Sequence, residues 1–351
     1  MPFTSPAADD PPELPSLHGE LPEGECLVLS ARDVQRLLPI EAAIASQRWA
    51  FRELGLGNAQ QPPKSRVDGA DGSVALTYTA RLGNERAAVT KTVSVNPLNA
   101  AAGLPTVHGL ITVLHPTTGR PLAIIDGTAV TTLRTAAASA LAVDVLARRD
   151  ASRLVVIGTG VQAHAHVRAI AAVRDLTRIT VAGRRVDATR ELADRLSDEL
   201  GHQVIASISP AVCVPEADLV ALCTASFTPV VEHGWIRPGS TVISVGSFTP
   251  DRCEVQRATV TAADLVVVDD LETSLEHAGP IIRAVQTGSL QSSDIASLAE
   301  ILAGKHPGRT EADDVVYYNS VGLGVQDAAA AETIVQVALA VGLGRTVPLG
   351  D

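Results

Sequence analysis

Aromatic side chains are scarce in this chain: Phe, Trp and Tyr account for 3% of its 351 residues, and Met occurs once. The hydrophobic share is nevertheless 46%, so a core must be built from Ala, Val, Leu and Ile. A chain of this length accommodates two domains of ordinary size, each with its own core.

Cysteine and lysine are also rare. The four cysteines stand far apart without a Cys-x-x-Cys pair, which predicts reduced, buried thiols. His164 and His166 diverge because residues two apart on a helix point to different sides, and no carboxylate is spaced to complete a site with them or with His108. We predict that no metal is bound.

Positive charge is not in excess, and long uncharged apolar runs are missing. The net charge of −11 argues against nucleic acid or an anionic membrane surface as a partner, although local cations could hold a small anion. No uncharged apolar stretch of 18 residues predicts a membrane span. The acidic, proline-rich N-terminus lacks the basic flank and apolar run of a secretion signal. We expect residues 1–25 to be disordered and the protein to be cytoplasmic.

A strand, a glycine turn and a helix follow one another after residue 153. Residues 154–157 form an unbroken aliphatic run, as in a parallel strand buried on both faces. The next six residues read G-x-G-x-x-A, in which Gly158 permits a tight corner and Gly160 lets a pyrophosphate approach the backbone. A helix over 161–174 would direct its N-terminal amides at the phosphates. The segment predicts a Rossmann-type dinucleotide-binding fold, with a purely structural turn as the alternative.

The second strand of this unit, residues 179–182, ends in Gly-Arg-Arg. A fold that prefers NAD usually carries Asp or Glu here for the ribose 2′-hydroxyl, whereas arginine suits a 2′-phosphate. Arg184 and Arg185 therefore favour NADPH as the cofactor, with NADH as the alternative.

Further helices and strands alternate through the central region. A helix over 185–200 precedes strands at 204–207, 219–224, 241–245, 264–269 and 315–320, and a long helix over 325–341 follows. In such sheets ligands bind at the carboxyl ends of the strands, where Thr224, Ala225 and Ser226 lie.

The region before residue 126 predicts an antiparallel sheet instead. A short strand at 26–29 leads to Ser30 and Asp33, a helix-start pattern, and helices run to about residue 54. After an extended Pro-Pro segment, strands are predicted at 73–79, 87–95, 109–115 and 121–125, with a hairpin turn at 115–119.

Lys91 stands inside an apolar strand, although arginine is the routine cation of this chain. Strict alternation puts it on one face with Val89, Val93 and Val95, and a buried lysine needs a partner or a ligand. A lysine that extends from an edge strand into solvent is the alternative.

Arg134 stands near the start of a helix of small residues. Arginine binds a carboxylate through two parallel hydrogen bonds, but a surface arginine on the first helical turn fits the residue type equally well. The residue type leaves both interpretations open.

Together these segments resemble the ornithine cyclodeaminase/μ-crystallin family over about residues 26–345. The most specific element is the Leu-Arg-Thr-Ala-Ala helix start about two dozen residues before the glycine turn. The matching pieces are Arg66 after the Pro-Pro segment, Thr90-Lys91, Leu133-Arg134-Thr135-Ala136-Ala137, the glycine turn, Ser244-Val245-Gly246, and Asn319-Ser320-Val321-Gly322-Leu323 followed by Asp327.

The resemblance implies an α/β protein that forms a homodimer. A Rossmann-type doubly wound dinucleotide domain, residues 136–319, would be flanked by 26–135 and 320–351, which form an α+β substrate-binding and dimerisation domain. It also implies that Arg66, Lys91 and Arg134 hold the carboxylate of an amino or imino acid beside the nicotinamide. The predicted cofactor-binding residues are Thr135, Gly158, Thr159, Gly160, Val161, Gln162, Arg184, Arg185, Thr224, Ala225, Ser226, Val245, Gly246 and Ser320.

The sequence departs from the family pattern at Phe248. Ornithine cyclodeaminases and the alanine dehydrogenase branch usually carry a catalytic aspartate there, and phenylalanine offers neither a proton nor an acceptor. We expect Asp251 and Glu254 to lie on the surface rather than to replace it. The change argues against deaminase activity, and the Gly-Ser-Phe-Thr-Pro form resembles the Δ1-pyrroline-2-carboxylate reductase branch.

The resemblance thus implies an NADPH-dependent reductase of a small cyclic imino acid, which forms L-proline from Δ1-pyrroline-2-carboxylate or L-pipecolate from Δ1-piperideine-2-carboxylate. Lys91 would be the catalytic residue, and Phe248 would line the pocket and exclude water. An ornithine cyclodeaminase or another amino or imino acid dehydrogenase is the enzymatic alternative. A non-catalytic, crystallin-like binding protein is the alternative of another class.

Overall fold

The computed structural model describes residues 21–70 and 72–349, and of Ala100 only the backbone. The segment predicted to be disordered therefore lies mostly outside the described residues. The chain divides into a central unit, Thr135–Gly322, and a flanking unit formed by residues 21–134 and 323–349. The predicted α/β class with a Rossmann-type parallel sheet is confirmed.

The flanking unit is built around a seven-stranded sheet. Its elements are β1 (Glu25–Leu29), α1 (Ala31–Leu37), α2 (Ile40–Leu56), β2 (Ser65–Asp68), β3 (Val74–Ala80), β4 (Ala88–Val95), β5 (Val107–Leu114) and β6 (Pro121–Asp126), followed by α3 (Gly127–Leu146), which continues into the central unit.

The central unit contains β7 (Arg153–Ile157), α4 (Val161–Ala171), β8 (Arg178–Ala182), α5 (Val186–Leu200), β9 (Val204–Ser207), α6 (Pro210–Cys213), β10 (Leu219–Leu222), β11 (Thr241–Ser244), α7 (Arg257–Thr261), β12 (Leu265–Val268), α8 (Leu271–His277), α9 (Gly279–Gln286), β13 (Ile295–Ser297), α10 (Leu298–Leu302) and β14 (Val316–Asn319). The chain returns to the flanking unit with α11 (Gly324–Val341) and β15 (Arg345–Pro348).

The sheet of the flanking unit has the order β15-β1-β6-β5-β4-β3-β2 and is antiparallel except where β1 pairs with β6. Buried and less buried residues alternate along β4, as expected for a strand with one face on the core. In the register, Tyr78 on β3 and Ile111 on β5 lie on either side of Lys91, so the three share one face. Helices α2 and α11 pack together, and α11 packs against β3 and β4.

Local signals at the start of the chain are confirmed. The Ser30 side chain accepts a hydrogen bond from the backbone of Asp33, and the Asp33 carboxylate accepts one from the backbone of Ser30. This capping box satisfies donors at the start of α1 that would otherwise have no partner. The short strand β15 was not predicted, because its mostly exposed residues form no apolar alternation and acquire strand geometry by pairing with β1.

The central sheet is parallel throughout and has the order β13-β12-β14-β11-β10-β7-β8-β9. The strand order reverses between β7 and β10, the switch point at which such sheets bind ligands. Every residue of β10, β11 and β14 is buried, as expected for strands of a parallel sheet that is covered on both faces. Helix α4 ends at Ala171, three residues earlier than expected, and the Arg174 side chain beyond it donates to the carbonyl oxygen of Val143 near the end of α3 (2.8 Å).

Helix α3 is long and apolar enough to cross a membrane by composition alone. However, 72% of its apolar window is buried inside the protein, and the core helix of a soluble protein has the same character.

Candidate active site

Three charged side chains meet in the interior of the flanking unit. Lys91 Nζ lies 2.7 Å from Asp327 Oδ2, and Arg134 Nε donates to Asp327 Oδ1 at 3.2 Å. The side chains of Lys91, Arg134 and Asp327 are 2%, 7% and 1% exposed. Two cations and one carboxylate leave this cluster with a formal charge of +1, which is what a bound monocarboxylate would neutralise.

The position of Lys91 excludes a lysine that extends from an edge strand. Strand β4 lies between β3 and β5, and the ammonium group also approaches the Thr131 hydroxyl (3.5 Å) and the face of the Tyr78 ring (4.5 Å to its centre). Burial lowers the pKa of Lys91 to about 8, although the Asp327 charge opposes the shift. Burial raises the pKa of Tyr78 to about 12, so its phenol stays protonated.

Arg134 is not on the first turn of α3 but is its eighth residue and is buried. Its Nη1 donates to Gln326 Oε1 (3.2 Å), and that same oxygen accepts the backbone N–H of Leu323 at the start of α11 (2.8 Å). Gln47 on α2 donates to the Gln326 carbonyl (3.2 Å). Asp327 and Gln326 thus bind the guanidinium from consecutive positions in the first turn of α11.

Arg66 is not brought to this cluster. It shares the Lys91 face of the sheet, because Arg66 pairs with Leu76, two residues from Tyr78 on β3. Its side chain is 52% exposed, however, and its Nη2 donates to Asp68 at 2.6 Å.

The glycine turn of the central unit has the two features that dinucleotide binding requires. Gly158 has φ +132°, and a Cβ there would lie 2.5 Å from the carbonyl oxygen of Cys223, so only glycine fits. A Cβ on Gly160 would meet no heavy atom within 4 Å, which leaves open space at the start of α4. Within the described residues no side chain caps the amides of α4, and Gln162 Oε1 is buried without a hydrogen-bond partner. The uncapped backbone amides, which are donors, fit a pyrophosphate at the helix N-terminus.

Arg184 and Arg185 follow β8 after Gly183 and are exposed. Their side chains make no hydrogen bond or ion pair to any part of the chain that the structure describes, so they remain available to an anionic ligand. Thr159 lies close to this end of β8, since its Cγ2 would be 2.6 Å from a Cβ on Gly183.

The remaining predicted cofactor residues occupy several positions. Thr224, Ala225 and Ser226 follow β10, Val245 and Gly246 follow β11, and Ser320 follows β14, all at the carboxyl edge of the sheet. Val161 starts α4 and is exposed, whereas Thr135 is buried on α3. His164 and His166, considered for metal binding, contact different partners, the Glu199 carboxylate and the Ser139 hydroxyl (both 2.9 Å).

The prediction that Glu254 lies on the surface is wrong. It is fully buried, and its carboxylate accepts hydrogen bonds from the segments that follow β10 and β11. Asp269 was not predicted as a site residue. Its carboxylate accepts hydrogen bonds from the Ser320 hydroxyl and from the backbone N–H groups of Val321 and Gly322 after β14. Periodicity could not reveal either group, because both are polar residues in loops whose burial depends on neighbouring strands. Asp251 is exposed, as expected.

Phe248 lies in the central unit and is half-buried against its core. The Arg252 guanidinium lies 4.4 Å from the centre of its ring. This position therefore presents an aromatic ring and a cation, and Phe248 itself offers no acid or base.

Comparison with known proteins agrees with this geometry. The profile of the ornithine cyclodeaminase/mu-crystallin family matches residues 25–341. The chain belongs to this family. It is 32% identical to the alanine dehydrogenase of Archaeoglobus fulgidus over 92% of the chain and 98% of that protein. It is 30% identical to a Δ1-pyrroline-2-carboxylate reductase of Bacillus cereus over 92% of the chain and 99% of that protein.

Among solved structures, the Thermococcus litoralis Δ1-pyrroline-2-carboxylate reductase in complex with NADH and L-proline has a TM-score of 0.88. The two sequences are 34% identical, and the match covers 92% of this chain and 100% of the other. The resemblance inferred from the sequence is thus confirmed at the level of the family, whose members named here are oxidoreductases of amino and imino acids.

Proposed function

We propose that the protein is an NAD(P)H-dependent reductase of cyclic imino acids that converts Δ1-pyrroline-2-carboxylate to L-proline and accepts the six-membered Δ1-piperideine-2-carboxylate, forming L-pipecolate. The observation that carries the proposal is the buried cluster of Lys91, Arg134 and Asp327 with its formal charge of +1. The pyrroline carboxylate reductases among the relatives support the choice of substrate.

In this proposal Arg134 and Lys91 bind the substrate carboxylate, and Asp327 holds both cations in position. A pKa of about 8 keeps most Lys91 molecules protonated at neutral pH while leaving the proton mobile, so Lys91 can keep the ring nitrogen protonated directly or through water. For Arg66 to take part, its guanidinium would have to leave the Asp68 carboxylate and bind the substrate carboxylate instead. Phe248 would line the pocket and exclude water.

The glycine turn and the strand ends of the central unit would hold the dinucleotide. When bound there, the dinucleotide would supply a hydride for the imine carbon, and the protein would orient the imino acid with its nitrogen protonated, so that the product is a secondary amine. Arg184 and Arg185 support a preference for NADPH, since both are exposed and their side chains have no partner within the described residues.

A second candidate is an amino acid dehydrogenase or an ornithine cyclodeaminase. The identity to an alanine dehydrogenase supports the former. Phe248 argues against both, because a free amine must be deprotonated and phenylalanine cannot accept the proton. We further propose a cytoplasmic homodimer, and sedimentation equilibrium of the full chain tests its assembly.

A steady-state comparison tests the substrate. Purified protein is mixed with the five- or six-membered imino acid and NADPH or NADH, with pyruvate, ammonia and NADH, or with ornithine and NAD+. We expect loss of nicotinamide absorbance with the cyclic imino acids and little with pyruvate and ammonia. Faster turnover of pyruvate with ammonia, or release of ammonia from ornithine, would reject the proposal in favour of the second candidate. Dinucleotide binding without turnover of any substrate would favour the non-catalytic alternative.

A further inference from the structure

Glu254 is a fully buried carboxylate to which no chemical step is assigned. It lies in the central unit, ten residues beyond the last residue of β11, within a loop segment before α7. Burial raises the pKa of its carboxyl, and hydrogen bonds from Thr224, Ser244 and Gly246 oppose that rise. So many donors on one carboxylate indicate a group that organises its surroundings.

The two carboxylate oxygens bind two different strand ends. Oε1 accepts the backbone N–H and the hydroxyl of Thr224, after β10, at 2.7 and 2.8 Å. Oε2 accepts the Ser244 hydroxyl and the Gly246 backbone N–H, at the end of β11, both at 2.8 Å, and the Ser247 hydroxyl at 3.4 Å. The backbone N–H of Glu254 itself donates to Ser247 Oγ at 3.0 Å.

These strand ends also touch each other and the glycine turn. A Cβ on Gly246 would lie 1.7 Å from the Thr224 carbonyl oxygen, and one on Gly158 would lie 2.5 Å from the Cys223 carbonyl oxygen. The turn after β7 therefore packs on the end of β10, and the end of β10 packs on the end of β11. With backbone in contact with backbone, a displacement at one segment must pass to the next.

We propose that Glu254 is a positioning residue for dinucleotide binding: by joining Thr224 to Gly246, its carboxylate fixes the carboxyl edge against which the glycine turn is built. The inference rests on the proposed function, since it requires that this edge bind NADPH or NADH. Because Glu254 is fully buried, we infer that it acts through the two loops rather than on the ligand itself.

Glutamine cannot replace Glu254 without moving one loop. A backbone N–H points at each carboxylate oxygen, from Thr224 at Oε1 and from Gly246 at Oε2. An amide has one oxygen and one NH2 group, so in either orientation an NH2 would face an N–H donor. The buried donor that loses its acceptor is then left unsatisfied.

The test compares Glu254→Gln with Asp218→Asn in the full-length protein. Asp218 serves as the control because it is also a buried carboxylate of the central unit. It is 4% exposed and binds Arg148, Arg153 and Arg237. It directly precedes β10, and Arg153 begins β7, so the group lies at the opposite, amino ends of these strands. Asp218→Asn should lower the melting temperature and leave the Kd for NADPH unchanged.

For Glu254→Gln we expect the Kd for NADPH, measured by nucleotide fluorescence well below both melting temperatures, to rise about tenfold. The KM for the imino acid at saturating NADPH should stay within about twofold, because only the dinucleotide edge is disturbed. If the variant does not fold, Ser244→Ala removes one hydroxyl donor from Oε2 and should raise the same Kd about threefold.

Three outcomes would overturn the inference. The first is a folded Glu254→Gln protein that binds NADPH as tightly as the wild type. The second is an equal loss of NADPH affinity in Glu254→Gln and Asp218→Asn. The third applies if Glu254→Gln does not fold, and it is an unchanged Kd for NADPH in Ser244→Ala. A wild-type protein that binds neither NADPH nor NADH would instead reject the proposed function itself, and the inference with it.

Discussion

At the proposed dinucleotide edge and in the proposed substrate cluster, buried carboxylates are stabilised in different ways. In the central unit, Glu254 and Asp269 accept hydrogen bonds from hydroxyl groups and backbone amides, and none of these donors is charged. In the flanking unit, Asp327 is bound by Lys91 and Arg134. Glu332, farther along the same helix, is 3% exposed and lies 3.6 Å from Arg86.

Neutral partners suit the binding of a dinucleotide, whereas charged partners suit the binding of a small carboxylate. Neutral donors hold the strand ends in place without adding charge, so the ligand can bind through the backbone and a helix N-terminus. A buried cluster with excess positive charge instead attracts a small anion strongly, because the surrounding dielectric is low. Substitutions in each unit can test this contrast.

The largest effect is expected from Lys91→Met. The substitution removes one of the two cations at Asp327, and truncating one member of a buried charge pair costs about 2–5 kcal/mol. The kcat/KM for the imino acid should fall at least about a hundredfold while NADPH affinity is retained. Lys305→Met, at an exposed position, is the matched control. Wild-type kcat/KM in Lys91→Met would show that the cluster does not bind the substrate.

Two glycines of the central unit should respond differently to alanine. A Cβ at Gly160 meets no atom of the described protein, so Gly160→Ala should change the unfolding free energy by less than about 0.5 kcal/mol yet weaken NADPH binding about thirtyfold. Gly158→Ala should lower the melting temperature as well, because φ is +132° and the Cys223 carbonyl blocks the site. For each variant, differential scanning fluorimetry measures the melting temperature and nucleotide titration measures the Kd for NADPH. Unaltered NADPH affinity in Gly160→Ala would mean that the turn is only structural.

A moderate effect is expected at the end of β8. Replacing Arg184 and Arg185 by serine removes two exposed cations that have no side-chain partner in the described chain. The ratio of kcat/KM with NADPH to that with NADH should fall about tenfold, as expected for loss of a charged contact of about 1.4 kcal/mol. Arg190→Ser, an exposed position on α5, controls for a general charge effect. An unchanged ratio would contradict the 2′-phosphate assignment.

The smallest effect is a pH dependence at Glu332. Burial raises its pKa to about 7, although Arg86 and Arg81 oppose the shift. Between about pH 4.5 and 7 the folded state therefore holds a proton at Glu332 that the unfolded state has lost. The contribution of this proton to the free energy of unfolding is complete below about pH 4.5 and is lost as the pH rises through 7. At pH 8 Glu332→Gln should be more stable than the wild type by at most about 3 kcal/mol, and at pH 4.5 the two should converge. Melting temperatures across this range measure it, and parallel curves for both proteins would reject it.

Much of the secondary structure follows from local sequence. The Ser30 and Asp33 capping box, the buried runs of β7 and β10, and the turn at Gly158 and Gly160 all depend on residues close together in the chain. Side-chain periodicity and glycine φ preferences act over a few residues, so they can be recognised without the fold. The alternation along β4 likewise predicted which face Lys91 occupies.

The partners of those residues were decided by tertiary structure. Asp327 reaches Lys91 and Arg134 only because α11 packs against β4, and Tyr78 faces Lys91 only through the register of β3 with β4. Glu254 was expected at the surface and is buried, since its donors come from two strands that meet in the sheet. Local sequence determined the helices, the strands and the glycine turn. Register and packing, which depend on distant segments, determined which charges meet and whether a polar loop residue is buried.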